Sequence, residues 1–92
     1  MYYFIIMRFT VENYHKQKLL SDEYTKIETQ GIEFVRVKPI QKEIFEIKTN
    51  ELRSLFKYKA GKIIVIGVVF VKKTQKTPKE IIKLAKKRLK EV

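Results

Sequence analysis

The stretch that most constrains this chain is Ile63–Val71, IIVIGVVFV, nine consecutive residues without a charge. Seven of the nine are β-branched, which stiffens χ1 and favours extended backbone over helix. Both alternating faces are apolar, so the strand predicted over Lys62–Val71 is covered on both sides and lies centrally in a sheet. The run is too short to cross a bilayer as a helix. The opening residues MYYFIIMRF have no positive n-region before them and no room for a signal h-region with its cleavage site. There is no cysteine, which fits a reducing compartment. The expectation is a cytoplasmic protein with no membrane partner.

The remaining elements follow from pattern. Tyr2–Phe9, aromatic and β-branched, reads as a strand. From Val11 to about Gln30 the apolar residues Val11, Tyr14, Leu20, Tyr24 and Ile27 keep roughly helical spacing, with Thr10 as a cap and Gly31 as the stop. Ser21-Asp22-Glu23 is equally a restart signal, so one long helix and a helical hairpin are both open. Glu33–Lys38 reads as a short strand ended by Pro39. Ile44–Thr49 and Leu52–Tyr58 are two more, and Ala60-Gly61 turns the chain into the apolar run. Thr77-Pro78-Lys79-Glu80 has the form of a capping box with Pro at the first helical position. Ile81, Ile82, Ala85, Leu89 and Val92 then form an apolar stripe among lysines. The order predicts one α+β domain over residues 1–92: a twisted, mostly antiparallel sheet, an N-terminal helix or hairpin, a C-terminal helix, and both helical layers on one side.

Charge separates the two halves. The net charge of +11 divides into +1 for residues 1–50 and +10 for residues 51–92. A block of that density attracts a polyanion. Other site chemistries are poorly supported. One histidine, His15, and no cysteine leave no ordinary zinc site. Three scattered glycines make neither a P-loop nor a dinucleotide fingerprint. Glu46 and Glu51 are a formal carboxylate pair, but nothing around them in the sequence suggests a shared pocket. The reading requires no cofactor. What remains is Lys72-Lys73-Thr74-Gln75-Lys76-Thr77-Pro78, where cations, hydroxyls and an amide collect between a strand end and a helix start, a combination suited to phosphate.

At this point a resemblance becomes specific. The segment Phe56–Val92, with VKKTQKTP at Val71–Pro78 matching without a gap, resembles the C-terminal half of the HigB-like, phage-derived branch of the RelE toxin superfamily. Upstream, Gly31, Val37-Lys38-Pro39-Ile40 and Ile44-Phe45-Glu46-Ile47 are similar to that branch's glycine, apolar stretch and "lyEiR" strand. Arg53 falls where the branch begins its next strand with Arg. The chain departs from the pattern in three places: its N-terminal helical region is short, Lys48 stands where the "EiR" arginine is usual, and the "yRifyf" strand appears as Leu52-Arg53-Ser54-Leu55-Phe56-Lys57-Tyr58.

The resemblance implies a toxin blocked by a small helix-turn-helix antitoxin, cutting mRNA on the ribosome without a metal. A 2′-hydroxyl attacks the adjacent phosphate, leaving a cyclic phosphate and a free 5′-hydroxyl. The step needs a base, an acid and positive charge at the phosphorane. On that reading Arg53 holds the phosphate, and Lys48, Lys73 and Lys76 supply base, acid or phosphate contacts. Lys57, Lys72, Gln75, Lys79, Lys83, Lys86 and Lys87 bind RNA. Lys72 and Lys73 point to opposite faces of a continuing strand, so only one of them faces the site. The competing readings are a non-catalytic RNA- or DNA-binding module of the same fold, and an interaction protein whose basic face docks an acidic partner.

Overall fold

The structure is a computed structural model that describes residues 2–6, 14–73, 75–90 and 92. Five strands form one sheet: β1 (Tyr3–Ile6), β2 (Arg36–Gln41), β3 (Ile44–Thr49), β4 (Leu52–Lys59) and β5 (Ile63–Val71), in the order β1-β5-β4-β3-β2. Three pairings are antiparallel and one, β1 with β5, is parallel. Helix α1 (Tyr14–Gln30) follows β1, a 3₁₀ turn over Ile32–Phe34 leads into β2, and α2 (Lys79–Lys90) closes the chain. The apolar run is an interior strand as expected, but β4 and not β5 stands in the middle of the order.

The helices lie on opposite faces of the sheet, which corrects the expectation that both share one side. Leu20, Tyr24 and Ile27 of α1 pack with Ile47, Leu52, Phe56, Ile64, Ile66 and Val69. Ala85 and Leu89 of α2 pack with Ile44, Leu55, Val65 and Val68. Two-sided coverage is what the two-faced apolarity of β5 requires. The Leu20–Tyr24–Ile27 stripe belongs to one continuous helix, so the hairpin alternative falls away. The Tyr24 ring stacks on Phe4 at 4.7 Å, and its hydroxyl shares a 2.6 Å hydrogen bond with Ser54 Oγ. Burial pushes the Tyr24 phenol up to about 12.

Three further expectations change. Of the strand predicted over Tyr2–Phe9, Tyr3–Ile6 is formed; residues 7–9 and the Thr10 cap lie outside the described residues. Pro39 does not end its strand. It sits inside β2, which is an edge strand, beside a register shift between Pro39 and Gln41, where a missing N–H costs no ladder bond. The capping box does not form. The Pro78 carbonyl accepts the first helical bonds, from the N–H groups of Ile81 at 3.1 Å and Ile82 at 3.2 Å, and the Thr77 hydroxyl is engaged elsewhere.

One local irregularity sets which way the end of β5 faces. Opposite the step Leu55–Phe56, β5 places Val68 and Ile66, so Gly67 is an extra residue and the strand bulges. Before the bulge, Ile64 and Ile66 face α1; after it Val69 and Val71 do. The alternation is thereby inverted for every residue beyond Gly67. The bulge is fitted to α2: a Cβ on Gly67 would meet Leu89 Cγ at 2.9 Å, and Arg88 Nη1 donates to the Gly67 carbonyl at 2.9 Å. Gly67→Ala is expected to lower stability by about 1–3 kcal/mol through overpacking. The same change in a Leu89→Ala background is expected to cost clearly less, because the clashing atoms are gone. Equal costs in the two backgrounds, measured by denaturant unfolding, would contradict this packing.

Candidate functional site

The face of the sheet that carries α2 also carries a row of cations. Register places Arg36 of β2 opposite Lys48 of β3, Lys48 opposite Arg53 of β4, and Arg53 opposite Phe70 of β5. Cross-strand neighbours share a face, so the three cations stand side by side beyond the N-terminal end of α2. The next row places Lys38 opposite Glu46. With Lys72, these residues line a cavity of about 180 Å³. Its walls hold five cationic side chains and one carboxylate.

That carboxylate organises the rest. Glu46 is 3% exposed, and a buried charge is tolerated only with partners. Its Oε1 lies 3.6 Å from Arg53 Nε and 3.9 Å from Lys72 Nζ, and its Oε2 accepts from Thr77 Oγ1 at 2.9 Å. The Thr77 hydroxyl therefore holds the β5–α2 connection to the floor of the site. Arg53 is fixed from its other side, with Nη1 donating to the carbonyls of Asn50 at 2.6 Å and Leu52 at 2.9 Å. Asn50 adopts a left-handed φ of 54° in the β3–β4 turn, a conformation Asn tolerates. The guanidinium and the Lys72 ammonium are thus oriented before any ligand arrives.

Of the residues singled out in the sequence, Arg53 and Lys48 come together in this cavity, joined by Lys72. The ambiguity between Lys72 and Lys73 is resolved by the bulge. Lys72 reaches Glu46 with its side chain 10% exposed, whereas Lys73 is exposed and outside the cavity. Lys76 and Gln75 are also exposed and outside it. Lys57, Lys86 and Lys87 line a different cavity, with Lys42 and Lys90, near the C-terminal end of α2. Lys79 and Lys83 are exposed on the helix. The carboxylate pair does not form, because Glu51 pairs with Lys16 at 3.5 Å. His15 is exposed on α1.

Sequence reasoning missed Arg36, Lys38 and above all Glu46. The signal for Glu46 was present in the alternation of IFEIKT, but placing both helices over the other face left that side of the strand in solvent. Arg53, read from the sequence as the phosphate-holding residue, is 11% exposed.

A small mixed sheet with a helix on each face and a cationic cleft at one end of that sheet makes this a basic α+β domain. The family model Phage derived protein Gp49-like (DUF891) matches residues 13–90, and the chain belongs to that family, which is part of the RelE/toxin-type superfamily. No curated protein matches the chain. Within the described residues no helix is long and apolar enough to cross a membrane.

The site makes a stability prediction that separates a buried network from a surface ion pair. Among the described residues, Arg53→Ala leaves Glu46 with Lys72 and Thr77, and it is expected to destabilise the fold by about 3 kcal/mol. Lys48→Ala, at an exposed position, is expected to change it by less than about 0.5 kcal/mol. An unchanged unfolding midpoint for Arg53→Ala would show that Glu46 does not depend on it.

Proposed function

We propose that this chain is the toxin of a toxin–antitoxin pair, an endoribonuclease of HigB-like type that cuts mRNA on the ribosome and is neutralised by a small helix-turn-helix antitoxin. Membership of a phage-derived family within a toxin-type superfamily supports the toxin reading. The observation that carries the RNA reading is the Arg36–Lys48–Arg53 row with Lys72 beside it. It offers two planar guanidinium groups and two ammonium groups to one phosphodiester.

In this reading Arg36 and Arg53 hold the non-bridging oxygens and stabilise the phosphorane. The RNA 2′-hydroxyl attacks phosphorus as it gives up its proton. The P–O5′ bond breaks, a 2′,3′-cyclic phosphate forms, and the 5′-oxygen takes up a proton. Lys48 and Lys72 are the groups placed to move those protons. Glu46 is a positioning residue: it orients Arg53 and Lys72 without touching substrate. Lys73 and Lys76, standing outside the cavity, leave these roles to Lys72, and the exposed lysines of α2 guide the polyanion toward the cleft.

The test is to incubate the purified chain with translating ribosomes and map the mRNA ends. Cleavage with a cyclic phosphate at the 3′ end and a free 5′-hydroxyl is expected. Lys48→Ala should slow it about 100-fold, the scale of losing one transition-state contact, with an unchanged melting temperature. Arg53→Lys should also fail, since a point charge does not reproduce the fork. Transcripts that are bound but remain intact would make the chain a non-catalytic RNA-binding module of this fold.

A further inference from the structure

A second cavity, of about 570 Å³, opens on the other side of the sheet, between α1 and the ends of β2 and β3. Arg36 and Lys48, at the ends of β2 and β3, are among the residues that line both this cavity and the smaller cationic one, so the two spaces lie next to each other. An anion held between Arg36 and Lys48 would therefore have its attached group at the mouth of the larger cavity.

The lining of that cavity differs from everything around it. In a chain of net charge +11, it contains the carboxylates of Asp22 and Glu23. Asp22 is held by Lys18 at 3.3 Å. Glu23, partly buried, has no hydrogen bond or close ion pair among the described residues, and burial raises its carboxyl above the usual range while Lys26 opposes the shift. Thr49 is 7% exposed, and its Oγ1 has no hydrogen-bond partner among the described residues. Leu19 and Val35 give the space apolar walls. A second phosphate would be repelled here by the carboxylates, and a plain cation by Lys26, Arg36 and Lys48. A neutral, flat, donor-rich group tethered to a phosphate fits both constraints.

We propose that this cavity is a nucleobase pocket that selects guanine in the nucleotide whose phosphate sits at Arg36 and Lys48. The proposal rests on the reading of the cationic row as an RNA site and adds the base that it reads. Guanine presents two adjacent donors, N1–H and the N2 amino group, which a single carboxylate accepts in parallel. Adenine and cytosine present one amino group beside a ring acceptor that repels the second carboxylate oxygen, and uracil presents one N–H between two carbonyls. Glu23 is the residue that accepts, and the exposed Asn50 is placed to meet the base's remaining polar atoms.

The probes are guanosine, adenosine, cytidine and uridine 3′-monophosphates, titrated into the full ¹⁵N-labelled chain with inorganic phosphate as control. The guanine nucleotide should bind about tenfold more tightly than the other three, the scale of a charge-assisted pair of hydrogen bonds. It alone should move the amide signals of Thr49 and Asn50 beyond the phosphate control. Glu23→Gln should abolish the preference and leave the other three affinities unchanged. Equal affinity for all four, no nucleotide binding at all, or a preference that survives Glu23→Gln would each overturn the pocket. mRNA cleavage without guanine preference would overturn the pocket alone, and guanine preference without cleavage on ribosomes would overturn the nuclease reading alone.

Discussion

The buried carboxylate of Glu46 is the interaction on which the rest of the site depends. A charge 3% exposed beneath a helix is stable only if its partners are themselves fixed. Among the described residues, three segments distant in sequence supply them: Arg53 from β4, Lys72 from the end of β5, and Thr77 from the connection into α2. The network holds the connection against the sheet and also orients two cations toward an open cleft. Removing the carboxylate would leave those cations present but unaimed. A transition state rewards charge already in place, because no reorganisation is then needed at the moment of reaction.

The bulge at Gly67 makes that network possible. Strict alternation from Ile64 would turn Lys72 toward α1 and Lys73 toward α2. One extra residue reverses this, and the reversal is tolerated because Gly67 has no Cβ to strike Leu89. Packing and site are therefore one construction: the contact that seats α2 on the sheet is also the one that delivers Lys72 to Glu46. Two-sided coverage completes it, since α1 buries the opposite face through Leu20, Tyr24 and Ile27 and leaves the Glu46 face to α2.

Much of this was legible in the amino-acid sequence, and the parts that were not share a physical cause. Ile44–Thr49, Leu52–Tyr58 and the apolar run are strands within a residue of the expected bounds, because period-two patterning and β-branching act locally. The Lys48–Arg53 association followed from two residues that turned out to be cross-strand partners. Glu46 and the choice between Lys72 and Lys73 depend on which face the last helix covers and on one inserted residue, neither of which has a local signature. The capping box failed for a similar reason. Thr77 has the right neighbours to cap α2, but a buried carboxylate binds its hydroxyl instead, and tertiary demand outweighs a local motif worth about 1 kcal/mol. The turn lysines Lys73 and Lys76 lie outside the cavity, and charge density in sequence says nothing about which ammonium groups share one.

The most direct measurement is a ¹⁵N-edited NMR titration of the chain with a short 2′-O-methyl RNA, which binds but lacks the attacking hydroxyl. If the cross-strand row is the phosphate site, the largest shift changes fall on Arg36, Lys48, Arg53 and Lys72, and they disappear in Arg53→Lys while the fold is retained. Shift changes concentrated on Lys83, Lys86, Lys87 and Lys90, with the row unmoved, would show that RNA rides on the outer face of α2 and that the Glu46-centred cleft is not where it binds.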